Sequence, residues 1–137
     1  MIKALVDSDV ALDLLAARAE HFEPAKLLFT LIDQGKVKGF ISAISFTNLH
    51  YVIRSSKTNA EAVRGLERLK SLVAVAPVDD KVISLALASS FSDFEDAVQY
   101  YSAVGIGATH LITRNVRDYK HAAIPVMNPQ EFARSLT

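Results

Sequence analysis

Residues 2–12, Ile2-Lys3-Ala4-Leu5-Val6-Asp7-Ser8-Asp9-Val10-Ala11-Leu12, pass from a short apolar run through two carboxylates into a helical pattern. An apolar run of strand length followed at once by a polar turn and a 3.6-residue repeat opens a strand–helix unit. The same change of period recurs down the chain. Runs at 37–41, 72–76, 110–112 and 125–127 have strand length and β-branched content, and helices are expected near 9–17, 23–34, 44–56, 59–70, 79–89, 93–104 and 129–136. Thr58-x-x-Glu61 and Ser92-x-x-Glu95 read as capping boxes, and Asn128-Pro129 as an N-cap with the first helical residue. The resulting order, β-αα-β-αα-β-αα-β-β-α, predicts an α/β fold with a central parallel sheet of about five strands flanked by helices.

In an open parallel sheet, ligands bind outside the carboxyl ends of the strands. Asp7 falls at such an end, as do Ser42 after the second strand and Thr113-Arg114-Asn115 after the fourth. Asp93 and Asp96 open a helix whose N-terminus is expected to face the same crevice. Carboxylates gathered there would form an oxygen-rich site for a hard ion, Mg²⁺ or Mn²⁺, of the kind that promotes phosphate chemistry.

Composition narrows the classes. The 137 residues are expected to form a single domain, with half the side chains apolar and 22% charged, unlike a disordered chain. There is no cysteine, so thiolate metal sites and disulfides are excluded, and a reducing cytoplasm is the expected location. The apolar stretch before Asp7 is too short for a signal peptide, and no run approaches the ~18 residues of a membrane span. Fifteen basic residues balance fifteen acidic ones, so any RNA contact must be local, as in the stretch Arg114, Arg117, Lys120 and His121. The four histidines lack zinc-site spacing, and no Gly-x-Ser-x-Gly elbow or phosphate-binding glycine loop is present.

Each acidic cluster also has an ordinary explanation. Asp9 would serve as an N-cap, typically worth ~1 kcal/mol. Asp93, Glu95 and Asp96 in a first helical turn gain ~0.3–1 kcal/mol each from the macrodipole, and Glu95 reads as the capping partner. Asp96, however, precedes Ala97-Val98 and should point toward the packed side, where a carboxylate needs a partner. Turn chemistry alone accounts for Thr113, Asn115 and Asp118.

Taken together, Leu5-Val-Asp7-Ser-Asp9-Val, Ile41-Ser-Ala-Ile-Ser-Phe-Thr-Asn48, Asp93-Phe-Glu-Asp96-Ala-Val-Gln and Leu111-Ile-Thr113-Arg-Asn115-Val-Arg-Asp118-Tyr, closed by Met127-Asn-Pro129-Gln-Glu-Phe, resemble a PIN domain over nearly the whole chain, 1–137. The resemblance implies a metal-dependent ribonuclease on a parallel α/β sheet. It further implies the toxin half of a VapBC-type toxin–antitoxin pair, with an antitoxin protein as partner and a homodimer as the assembly. Carried across, Asp7, Asp96 and Asp118 become the catalytic acids, joined by Asp93 as metal ligands for Mg²⁺ or Mn²⁺, while Thr113, Asn115 and Asn48 position substrate or water. Position 48 departs from the pattern, which has an acid there, commonly Glu. An amide oxygen can coordinate an ion but brings no charge.

Two other readings compete. A degenerate PIN-like module would bind RNA or protein without turnover, as Asn48 and the neutral net charge suggest. An aspartyl phosphatase of the haloacid-dehalogenase kind also has Asp-x-Asp after its first strand, but Ala11 stands where Thr or Val is expected, and Asp93 and Asp96 open a helix instead of following a strand.

Overall fold

A computed structural model describes residues 1–136. Five strands, β1 (Lys3–Val6), β2 (Lys38–Ser42), β3 (Ala74–Ala76), β4 (His110–Ile112) and β5 (Val126–Met127), form one sheet in the order β3-β2-β1-β4-β5. Every neighbouring pair is parallel. Seven helices connect them: α1 (Ser8–Leu15), α2 (Phe22–Asp33), α3 (Ala43–Arg54), α4 (Asn59–Leu72), α5 (Asp80–Leu87), α6 (Phe94–Gly105) and α7 (Pro129–Ser135). The expected α/β architecture and element order are therefore observed. A short 3-10 turn at Val116–Tyr119 is added after β4.

Strand alternation divides the core. Ala4, Val6, Ile41 and Ile112 face a layer built from α1, α2, α3, α4 and α7, where Leu28, Leu49, Leu69 and Phe132 are buried. Leu5, Phe40 and Leu111 face the other side, against Tyr100, Ala103 and Tyr119. Both faces of β1 are covered from Ala4 to Val6, which is why those residues form a continuous apolar run and not an alternating one.

From β1 the chain moves outward through β2 to β3, then crosses back to β4 on the other side of β1. The reversal opens a crevice between the carboxyl ends of β1 and β4, the place where open α/β sheets bind ligands. Two backbone bonds set its floor: Asp7 N–H donates to Ile112 C=O at 2.8 Å, and Thr113 N–H donates to Met127 C=O at 3.0 Å.

Several local expectations are corrected. The N-cap of α1 is Asp7, which accepts from Ser8 N–H, so Asp9 lies inside the first turn and is free for other contacts. Asp93, not Ser92, caps α6 by accepting from Asp96 N–H at 3.0 Å, which leaves Glu95 out of any capping box. At α4, Thr58 caps Glu61 N–H, but its hydroxyl rather than its backbone meets the Glu61 carboxylate. The full reciprocal box forms at α7, between Asn128 and Glu131. The third strand is shorter than 72–76 because α4 continues to Leu72.

Candidate functional site

Asp7 ends β1 and is almost wholly buried at the head of the crevice. Five donors surround its carboxylate. Oδ2 accepts from the Thr113 hydroxyl at 2.9 Å and the Tyr119 hydroxyl at 3.2 Å. Oδ1 accepts from Ser8 N–H at 2.7 Å, from the Ser8 hydroxyl at 3.4 Å and, at 3.5 Å, from the Gln99 amide. Such an array fixes the carboxylate's orientation and favours its charged form. Burial acts in the opposite sense and wins, so the Asp7 carboxyl is held above its ordinary range.

In the first turn of α1, Asp9 reaches across to the loop after β4. Its Oδ2 accepts from Arg114 N–H at 3.2 Å, the Asn115 side-chain amide at 3.1 Å and the Thr113 hydroxyl at 3.3 Å. Its Oδ1 is buried without a hydrogen-bond partner. Burial, reinforced by the Asp7 charge, pushes Asp9 up to about 6. The Thr113–Asn115 loop is thus tied to both N-terminal acids, and the Thr113 oxygen in turn accepts from Asn115 N–H at 3.1 Å.

The opposite wall comes from α6. Asp96 is half-buried, and burial together with the charges of Asp93, Asp7 and Asp118 raises it to about 7. Asp93 and Asp118 are exposed, at the cap of α6 and in the 3-10 turn. Glu95 is also raised, by partial burial and by the charges of Asp7 and Asp93. It lines a cleft of about 370 Å³ with Asp9 and Asn48, which α3 supplies. Tyr119, buried and then pressed against this negative field, holds its proton far above the usual phenol range.

The structure therefore gathers Asp7, Asp9, Asp93, Asp96 and Asp118 with Thr113 and Asn115 at one end of the sheet, and sets Asn48 on the cleft wall. Among the described residues no three acidic or histidine groups converge on one point as a preassembled ion cage. The donor set still fits a hard divalent ion. Its donors are carboxylate and amide oxygens, the ligand type hard ions take, Asp9 Oδ1 is a buried acceptor without a donor, and four carboxyls are raised by burial and, for three of them, also by neighbouring carboxylate charge.

Three supporting residues take roles that the sequence alone does not assign. Gln99 is fully buried and bridges Asp7 to Ser45, whose hydroxyl accepts from its amide at 2.6 Å; Ser45 also meets the cap hydroxyl of Ser42 at 3.1 Å. Asp13, 1% exposed, accepts from Arg114 Nε at 2.7 Å and Nη2 at 3.3 Å. Tyr119 directly follows Asp118, the only hint available to find it.

The raised carboxyls make a pH prediction. Asp9 and Asp96 bind protons more tightly folded, with values of about 6 and about 7, than unfolded, with values of 3.8. Between those limits the native state holds more protons, so stability falls as pH rises from about 4 to about 7 and then levels off. With chelator present, the melting temperature is expected to be lower at pH 8 than at pH 5, on the order of 3–6 °C, by more than in Asp96→Asn protein. Equal slopes in the two proteins would refute the electrostatic account.

A profile of the PIN domain family matches residues 3–117. No curated protein sequence matches the chain significantly. Among solved structures, the fold is similar to VapBC-1 from nontypeable Haemophilus influenzae, with a TM-score of 0.70 and 16% identity over 94% of this chain and 99% of that one. It is similar to a toxin–antitoxin complex from Klebsiella pneumoniae, with a TM-score of 0.68 and 22% identity over 92% and 97% of the two chains. VapC20 from Mycobacterium tuberculosis, a sarcin–ricin loop cleaving toxin, is also similar, with a TM-score of 0.61 and 19% identity over 79% and 86%. The matched residues run from β1 into the turn after β4, and so contain both strands that open the crevice and all but Asp118 of its acids; this chain belongs to the PIN domain family.

Proposed function

We propose that the chain is a divalent-metal-dependent endoribonuclease and the toxin member of a toxin–antitoxin pair. The observation that carries this reading is the gathering of buried and half-buried carboxyls around Asp7 at the β1/β4 crevice, with Asp9 and Asp96 raised by burial and by the Asp7 charge. Asp7, Asp96 and Asp118 are the proposed catalytic acids, and these three with Asp93 are the proposed ligands of Mg²⁺ or Mn²⁺. A bound divalent ion supplies positive charge at the phosphodiester and lowers the pKa of a coordinated water. Asp7 is oriented for this role by its hydroxyl and amide donors, and Thr113 keeps Asp7 and Asp9 at a fixed separation. Asn115 positions water or a phosphate oxygen. Asn48 offers an uncharged amide oxygen on the wall where Asp9 and Glu95 supply the negative charge.

Toxin–antitoxin complexes among the similar structures support a protein partner for this chain. The cleft rim supports it too, since Tyr51 is 78% and Val52 40% exposed beside Asp9 and Asn48, an apolar edge that a partner would cover. A homodimer is also proposed, with exposed Leu27 of α2 among its contacts. No helix among the described residues is long and apolar enough to cross a membrane, and a cytoplasmic location is proposed.

PIN membership sets the phosphatase reading aside. The binding-only reading is favoured by the neutral residue at position 48 and by the neutral net charge. Titrating Mn²⁺ into chelator-stripped protein, with labelled RNA cleavage followed in parallel, decides between the two. The nuclease reading expects saturable Mn²⁺ binding and cleavage that chelator abolishes. Asn48→Glu, which adds a carboxylate to the cleft, is expected to tighten Mn²⁺ binding about tenfold, the effect of roughly 1.4 kcal/mol. RNA binding with neither Mn²⁺ binding nor cleavage would leave the binding module.

A further inference from the structure

Behind the Thr113–Asn115 loop, a second cavity of about 300 Å³ adjoins the acidic centre, and no step proposed above uses it. Arg114 belongs to both. Its backbone N–H holds Asp9, while its side chain lies in the cavity wall, gripped through Nε and Nη2 by buried Asp13, with His21 Nε2 3.5 Å from Nη1. A guanidinium has five N–H donors in a rigid plane, and these contacts engage three. Two remain on a group that can no longer rotate freely.

The charge of the lining argues against a phosphate. Asp13 and Glu20 outnumber Arg114, so the cavity is not a basic pocket. It is instead concave and small, at the lower end of small-ligand sites, with the planar imidazole of His21, an apolar wall from Pro24 and an amide from Gln130. A neutral, planar group with hydrogen-bonding edges suits that lining, and proteins read unpaired RNA bases by such stacking and edge contacts.

We infer that this cavity is a base-recognition subsite that takes a guanine of the RNA strand next to the scissile phosphate. The two free donors of the fixed Arg114 plane match the adjacent O6 and N7 acceptors of guanine. His21 stacks on the base and Gln130 contacts its exposed edge. The inference rests on the ribonuclease reading for its biological meaning, and its test is independent of turnover.

Fluorescence anisotropy with labelled U₆ hexamers carrying one central G, A or C, with Ca²⁺ as the divalent ion, measures the preference directly. Wild type is expected to bind the G-containing hexamer about tenfold more tightly than the others, the scale of one bidentate base contact. Arg114→Lys keeps the charge but loses the planar fork, and is expected to lose the preference. His21→Ala/Gln130→Ala, which leaves the Arg114–Asp13 pair intact, is expected to reduce it with an unchanged melting temperature. Equal wild-type affinity for all hexamers, or a preference that survives both variants, overturns the subsite. Cleavage of the same hexamers with Mn²⁺ is a separate arm. If wild type fails to cleave, the nuclease reading falls, while the anisotropy result still decides the cavity.

Discussion

Asp7→Asn and Asp96→Asn proteins are expected to cleave RNA on the order of 10³-fold more slowly than wild type, the scale on which removing a directly stabilising charge acts in a preorganised site. Calorimetric Mn²⁺ binding should weaken in parallel. Neither protein should be less stable in the absence of a divalent ion. Asp7 Oδ2 is met by two hydroxyls, from Thr113 and Tyr119, which can turn from donating to accepting when an NH₂ group takes that position. Oδ1, met by the fixed Ser8 N–H and the Gln99 amide, would remain the carbonyl of the new side chain. Removing a charge that burial already disfavours should then leave the melting temperature of chelated Asp7→Asn equal to or above that of wild type. For Asp96, the like charges of Asp93, Asp7 and Asp118 lead to the same expectation. A variant that melts normally but cleaves at the wild-type rate would remove that acid from the site. Collapse of the chelated fold in either variant would instead mean that the carboxylate is needed structurally.

The largest stability effect is expected at Asp13, a residue with no motif around it. Removing one partner of a buried ion pair leaves the other charge without compensation, commonly at 3–5 kcal/mol. The Arg114 side chain is 28% exposed and can swing partly into water, so Asp13→Ala is expected to cost roughly 2–3 kcal/mol. In thermal unfolding this is a fall of about 10 °C for a domain of this size. Arg114→Ala in the Asp13→Ala background should recover part of the loss, because no buried charge is then left unpaired. A fully additive double mutant would show that the pair contributes nothing through its contact. Since the Arg114 backbone also holds Asp9, the melting change should be accompanied by weaker Mn²⁺ binding. Asp13→Asn, which preserves shape and one acceptor, should retain more of both.

The sequence was most informative where local patterns coincide with burial. The apolar run before Asp7 is continuous because β1 lies in the middle of the sheet with both faces covered, so its reading as a central parallel strand needed no tertiary knowledge. The reciprocal cap at Asn128 and Glu131 formed as its spacing implies, since a capping box is closed by residues three apart. The same logic fails at α6. Ser92-x-x-Glu95 and Asp93-x-x-Asp96 are overlapping candidates, and packing of Ala97 and Val98 selects the second. For Asp9 the local pattern fits a cap as well as a site acid, because both use the same carboxylate chemistry. Only its bonds to Thr113, Arg114 and Asn115, more than a hundred residues away, separate the two.

The sequence by itself determined the order of elements, the parallel sheet and the identity of most acids, because strand length, helical period and end signals act within a few residues of one another. Which acids share a field was decided by the tertiary structure. Gln99 enters the site as a buried amide under Asp7, Glu95 leaves its expected cap to face Asn48, and Asp13 pins Arg114 behind the loop. Each of these depends on the reversal of strand order at β1, which brings α1, α6 and the turn after β4 to one edge. Electrostatic coupling follows distance through space, and no local pattern carries that distance.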